Sequence, residues 1–278
     1  ENMEAKMIRR LVVKVGTSSL VMKNGRINLP SIDRLAYSLS ALNNAGYQVV
    51  LVSSGAMGAG LASLNKTQRP AAIAEQQALA SLGQVELMRI YSQRFLDYQT
   101  RIAQLLLTRD NLEYPLNRTN VLNTIEALLQ QKIVPIINEN DPVSVDELDH
   151  HTTFSDNDEL SALVATRIGA DLLIVLSDID GLFDKDPHKN ADAKLIENVA
   201  ALTPAIRLSA TGSSTRFGTG GMVTKLKAAE TILNADRQMV LCNGQDPRVI
   251  LKVVNGQPIG THFGHHSIKP LTIDKEEI

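Results

Sequence analysis

Cysteine is the scarcest reactive group here: one in 278 residues, which excludes a disulfide within the chain. Cys242 closes the apolar run Met239–Cys242, the setting of a buried, inert thiol rather than a nucleophile. An excess of either charge is also missing. Lys and Arg number 28 against 30 Asp and Glu, a net charge of −2, and no basic cluster forms the face that nucleic-acid binding needs. No stretch approaches the roughly 20 apolar residues of a membrane span. Residues 1–7 carry no signal-peptide apolar region, so a cytoplasmic protein is expected. Three familiar signatures are absent as well: a GxxxxGK(S/T) phosphate loop, a GxSxG nucleophile elbow, and GxGxxG, since Gly16-Thr17-Ser18-Ser19-Leu20 lacks the later glycines. His150-His151 and His265-His266 have no partners at metal-ligand spacing; they read as solvated loop residues, and no metal site is expected.

What is present is a regular alternation. With 44% hydrophobic residues the chain can bury a large core, and one α/β domain over residues 1–278 is expected. Short apolar runs at Leu11–Val15, Val49–Ser53, Ile102–Leu107, Ile133–Ile137, Leu172–Leu176 and Gln238–Leu241 suit strands buried on both faces. Between them, Pro30–Asn44, with Ile32, Leu35, Leu39 and Leu42 at helical spacing, the long Ala/Gln-rich Pro70–Phe95, Asp156–Ile168 and Lys225–Leu233 read as helices. Asn24-Gly25 reads as a hairpin turn, and the long polar segment Glu139–Ser155 as a mobile loop. The order predicts a mostly parallel sheet with helices on both faces and ligands beyond the carboxyl ends of the strands. Polar residues cluster at those ends: Lys14-Val15-Gly16-Thr17, Ser53-Ser54-Gly55, Asn138-Glu139-Asn140-Asp141 and Ser177-Asp178-Ile179-Asp180-Gly181.

The segment Gly218-Thr219-Gly220-Gly221-Met222-Val223-Thr224-Lys225 is the most informative. A glycine-rich turn exposes N–H groups, a following helix adds its positive end, and a lysine adds a point charge, a combination that suits a polyphosphate; the same pattern also serves as plain helix punctuation. Lys14, inside an apolar strand, either snorkels outward or meets an anion. The turn Ser54-Gly55-Ala56-Met57-Gly58 offers a hydroxyl and N–H groups to a carboxylate, or caps a helix. Asp156…Glu159 approximates a capping box, leaving Asn157 and Asp158 free to meet Asp141.

Taken in order, Val13–Ser18, Val52–Ala56, Leu107–Arg109, Ile136–Asp141, Asp156–Ala162 and Thr219–Lys225 are the marks on which the sequence resembles the amino acid kinase family, over about residues 8–263. The resemblance implies a three-layer α/β/α sandwich with a mostly parallel central sheet, ATP and Mg2+ as cofactors, and an acyl-phosphate product. The Asn-Glu-Asn-Asp segment together with Asp-Asn-Asp is similar to members that phosphorylate the side-chain carboxylate of L-glutamate, the first step of proline biosynthesis. By that resemblance Lys14 and Lys225 are the cationic clamps and Asp158 orients them. Ser54, Asp141 and Asn157 are glutamate ligands, Asp141 for the α-ammonium. Lys14, Ser177, Asp178, Thr219, Gly220, Gly221, Met222, Val223, Thr224 and Lys225 form the ATP site. It further implies feedback inhibition by proline, a homodimer or tetramer, and a glutamyl phosphate reductase as a possible partner. Relatives often carry Thr where Ser177 stands and Thr-Ser-Gly where Ser53-Ser54-Gly55 stands, without effect on the chemistry. Many also carry a C-terminal domain of the PUA type, which is not expected in residues 1–278. The competing readings are a relative acting on acetylglutamate, aspartate, carbamate or uridylate, and a catalytically silent binding protein.

Overall fold

The computed structural model describes residues 5–144, 157–211 and 221–271. In chain order the elements are β1 (Ala5–Met7), β2 (Arg10–Val15), α1 (Thr17–Leu20), α2 (Leu29–Asn44), β3 (Gln48–Ser53), α3 (Ala56–Ser63), α4 (Ile73–Asp97), β4 (Ile102–Leu107), α5 (Arg109–Glu113), α6 (Pro115–Gln130) and β5 (Val134–Glu139). There follow α7 (Asn157–Arg167), β6 (Leu172–Ser177), β7 (Asn198–Val199), α8 (Pro204–Thr211), α9 (Met222–Asn234), β8 (Gln238–Asn243), α10 (Val249–Val254), β9 (Thr261–Phe263) and β10 (Ser267–Lys269). Among the described residues an eight-stranded sheet runs β4-β5-β3-β2-β6-β8-β9-β7, with only β9 against β8 antiparallel. The strands β1 and β10 pair separately.

The period of two along each strand divides the core. Leu11, Val13 and Val15 join Val49, Leu51, Leu172 and Ile174 under α2, α4 and α10. Val12 joins Val50, Val52, Ile137, Leu173 and Val175 under α6, α7 and α9. The result is the expected three-layer α/β/α sandwich. The same alternation puts Lys14 on the face of Val12, beneath α7 and α9, where an apolar residue would otherwise sit.

All six expected strands form, some longer by one or two residues. Asn28 caps α2 through its side chain, which accepts from the Ser31 N–H at 3.2 Å, and Pro30 occupies the first turn. The Asn24-Gly25 turn closes with Met22 N–H donating to the Arg26 carbonyl at 2.8 Å and Gly25 at φ 80°. The part of Glu139–Ser155 beyond residue 144 lies outside the described residues, as do Asp156 of the capping-box reading and His150-His151. His265 and His266 fall between β9 and β10.

Two helices differ from expectation by more than one residue. The helix read from Pro70 starts at Ile73 and runs to Asp97. The helix read from Lys225 starts three residues earlier, because Gly221, extended at φ −73°, ψ −174°, is its N-cap. Helix α3 escaped the sequence reading because Ala56-Met57-Gly58-Ala59-Gly60 carries two helix-weakening glycines. Their use is contact. A Cβ on Gly60 would lie 2.3 Å from the Leu79 carbonyl oxygen, and one on Gly83 would lie 1.6 Å from the Ala56 carbonyl oxygen. The helices α3 and α4 thus cross backbone to backbone, locking the turn after β3 to α4. Gly83→Ala is therefore expected to lower the urea midpoint by a loss of roughly 2 kcal/mol, although propensity alone favours Ala by about 1 kcal/mol. An unchanged or raised midpoint would contradict the crossing.

Candidate active site

Parallel register brings the strand ends level: Val15 lies opposite Ser53 and Leu176, and Ser177 opposite Asn243. The first turns of α7 and α9 point into the same space. Lys14, 5% exposed, does not snorkel. Its Nζ lies 2.8 Å from Oδ1 of Asp158, which is wholly buried in the first turn of α7. Lys225, in the first turns of α9, donates to Oδ2 of the same carboxylate at 3.2 Å, and Thr224 Oγ1 adds a donor at 3.1 Å. Burial pushes the Asp158 pKa up, but Lys14 and Lys225 more than offset that and hold the carboxyl below its ordinary value. Two ammonium groups thus gather about one carboxylate, next to two helix N-termini. A concentration of positive groups of this kind suits an anion.

Cavities flank it. One of about 450 Å³ is lined by Asp178, Gly181, Phe183, Lys185, Gly221, Met222 and Lys225. The other, about 440 Å³, is lined by Thr17, Ser54, Gly55, Arg69, Asn138, Asp141 and Asn157. A larger groove of about 1070 Å³ lies over α2 and α10 and contains none of the three charged residues. In the second cavity Asn157 Nδ2 donates to Ser54 Oγ at 2.8 Å and to Asn138 Oδ1 at 3.0 Å. Ser54 therefore does not cap α3, whose N-cap is Gly55 at φ 99°. With its N–H donors spent, Asn157 presents a carbonyl acceptor, and Ser54 retains its own proton to donate. Burial raises the Asp141 pKa, and the Arg69 charge only partly opposes it.

The residues read from sequence as one site thus converge: Lys14, Lys225 and Asp158 at the centre, and Ser54, Asp141 and Asn157 in one cavity. Of the residues read as an ATP site, Asp178, Gly221, Met222 and Lys225 line the first cavity. The Ser177 hydroxyl, buried, donates to Asp178 Oδ1 at 3.2 Å and shapes the turn after β6. Thr224 points at Asp158, and Val223 is half exposed and lines neither cavity, because a helix beginning at Met222 turns it outward. Thr219 and Gly220 lie outside the described residues. Sequence reasoning missed Arg69, Phe183 and Lys185. The last two follow β6 at its carboxyl end, where the strand-end rule could have found them. Arg109, noted only as part of a motif, pairs with Glu159 and Glu113 and ties α5 to α7. Cys242 is wholly buried, which pushes its thiol up to about 12, as an inert group requires.

The amino acid kinase family model matches residues 9–243, and the chain belongs to that family. It is similar at a finer level to curated proteins named glutamate 5-kinase. That of Lactiplantibacillus plantarum is 57% identical over 256 residues, covering 92% of this chain and 97% of the relative. That of Ligilactobacillus salivarius is 56% identical, covering 95% and 98%. Among solved structures, carbamate kinase from Giardia lamblia bound to AMP-PNP superposes with a TM-score of 0.63 at 17% identity, covering 94% of this chain and 98% of that one, a likeness of fold. No helix among the described residues is long and apolar enough to cross a membrane.

Because the Asp158 pKa is lowered on folding, its contribution to stability is complete above its unfolded value of roughly 4 and is lost as pH falls through the folded value. Urea unfolding of wild type and Asp158→Asn should differ most at pH 7, with the gap closing below about pH 4. A gap independent of pH would contradict an ionised Asp158.

Proposed function

We propose that this chain transfers the γ-phosphoryl group of ATP to the side-chain carboxylate of L-glutamate, giving L-glutamyl 5-phosphate, the first step of proline biosynthesis. The carrying observation is the buried Asp158 bridging Lys14 and Lys225 between two cavities, one of them lined by the Asp141 carboxylate. Similarity above 50% to glutamate 5-kinases supports the choice of glutamate.

A glutamate carboxylate, pKa roughly 4.3, is ionised at neutral pH, so its attack on phosphorus needs no general base. Positioning and charge neutralisation remain. The cavity lined by Asp178, Gly221 and Met222 takes ATP, and the Thr219–Lys225 segment its phosphates. The opposite cavity takes glutamate: Asp141 and the Asn157 carbonyl meet the α-ammonium, and the Ser54 hydroxyl and Arg69 suit the α-carboxylate. The γ-phosphoryl group then lies beside Lys14 and Lys225, whose ammonium groups suit the charge spread over its equatorial oxygens. Mg2+ belongs to this reading as a companion of the nucleotide phosphates, where it neutralises charge; a cation held mainly by phosphates needs few protein ligands.

One domain over residues 1–278, a cytoplasmic place, where ATP is at hand, and assembly as a homodimer or tetramer complete the reading. Proline competes for the glutamate cavity, and the acyl phosphate, prone to hydrolysis, passes to a glutamyl phosphate reductase.

Hydroxylamine trapping across glutamate, N-acetylglutamate, aspartate and UMP is expected to give hydroxamate with glutamate alone, and Lys225→Ala to lose at least 100-fold in kcat. Turnover of another acceptor in preference to glutamate would overturn the reading. The raised Asp141 pKa sets a pH signature: KM for glutamate should climb on acidification, beginning above the usual carboxylate range, and Asp141→Asn should flatten that rise from a higher starting value. A wild-type KM that begins to rise no earlier on acidification than in Asp141→Asn would remove Asp141 from the ammonium site.

A further inference from the structure

Three polar side chains stand at seven-residue intervals on α4: Gln77, Gln84 and Tyr91. Seven residues are nearly two turns, so the three share one stripe of the helix, about 10 Å apart. Between them Ala80 and Leu87 are buried against the core, which makes this the inward face and not a solvated one. Each polar group meets a different piece of the glutamate cavity. Gln77 Nε2 donates to the carbonyls of Asp141 and Ser144 at 3.2 and 3.3 Å. Gln84 Oε1 accepts from Asn138 Nδ2 at 3.1 Å, and Asn138 Oδ1 in turn accepts from Asn157 Nδ2 at 3.0 Å. Tyr91, wholly buried, meets the Ser53 hydroxyl at 2.7 Å, while that hydroxyl donates its only proton to the Ser54 carbonyl at 2.9 Å, so Tyr91 is the donor.

We infer that Gln77, Gln84 and Tyr91 form a positioning spine that fixes the three glutamate-binding residues, Asp141, Asn157 and Ser54, from one rigid helix. The inference rests on the proposed glutamate site and deepens it. None of the three need touch the substrate. Their effect is directional. Gln84 Nε2 donates outward to Gln104 Oε1 at 3.0 Å, so its oxygen is held toward Asn138. The amide of Asn138 is thereby oriented with its oxygen toward Asn157, whose N–H groups turn to Asn138 and Ser54, and the Asn157 carbonyl is left for an ammonium. Reversal of any amide along this chain would place a donor where the substrate carries its positive charge. The close crossing at Gly83, next to Gln84, holds α4 against the Ala56 carbonyl just beyond Ser54, so the spine and the turn it serves cannot slide apart.

The test compares Gln84→Met, Tyr91→Phe and Gln77→Met with Glu86→Gln, a change on the half-exposed side of α4, by glutamate affinity in calorimetry and by separate KM values for glutamate and ATP. Loss of one orienting hydrogen bond is expected to weaken glutamate roughly five- to tenfold, with KM for ATP within about twofold and Glu86→Gln unchanged. Tyr91→Phe removes one oxygen and keeps the packing, so it carries the test independently of any folding loss at Gln84. Because Gln84 acts through Asn157, the double variant Gln84→Met/Asn157→Ala should bind glutamate no more weakly than Asn157→Ala alone. Full additivity in that cycle, a parallel rise of KM for ATP, or unchanged glutamate binding in all three variants would overturn the spine. Hydroxamate formation by the wild type reports the proposed reaction separately: a wild type that binds glutamate without phosphorylating it would refute that reaction, while the affinities still decide the spine.

Discussion

One carboxylate without exposed surface, held between two ammonium groups, is the interaction on which the arrangement depends. An isolated buried Asp is strongly disfavoured, and Asp158 is tolerated because Lys14 and Lys225 each approach one of its oxygens. The three residues come from β2, α7 and α9, so the pairing fixes how two helices sit on the sheet as well as where the charges lie. It also explains why a lysine occupies an alternation position that otherwise faces the apolar layer. Removing either lysine would leave one oxygen of a buried carboxylate without its ammonium group. Keeping both concentrates positive groups beside the space between the cavities.

That space lies at the middle of the sheet. Strand β2 has β3 on one side and β6 on the other, so chain order reverses about it and the loops at its carboxyl end part to either side. The loops after β6 and the start of α9 form one cavity. The loops after β3 and β5 form the other. The acceptor side depends on α4, which is pressed onto α3 through Gly60 and Gly83 and carries the polar stripe beneath Ser54, Asn138 and Asp141. In the proposed reading, an acceptor side and a helix-terminus phosphate side meet at Lys14, so that orientation and charge do the chemistry and no proton has to move.

Much of this was legible in the sequence, for identifiable reasons. Six strands wrote themselves as short apolar runs, five of them buried and the sixth, the edge strand β4, half-exposed where burial on both faces was expected, and the polar residues following them marked the site. Lys14 stood out because charge inside such a run needs a partner; which partner required the fold, since Asp158 is 144 positions away in sequence and meets it only because α7 packs over β2. Helix α3 was hidden because its glycines serve a helix crossing and look like turn residues. Val223 was grouped with the ATP site because a motif has no sense of face; once the helix starts at Met222, its side chain turns to solvent. The glutamines of α4 were seen only as composition. Their seven-residue spacing was visible, but a polar stripe on a helix ordinarily faces water, and only the packing of Ala80 and Leu87 reveals that this one faces inward.

The most direct measurement is single-turnover phosphoryl transfer in Asp158→Asn beside wild type, with ATP and glutamate affinities determined on the same preparations. If the carboxylate orients the two lysines for the transition state, the transfer rate falls at least 100-fold while ATP binds as well as before or more tightly, since the amide removes a negative charge beside the lysines. A transfer rate close to wild type, or a loss confined to ATP affinity, would contradict the central role given to the Lys14–Asp158–Lys225 bridge.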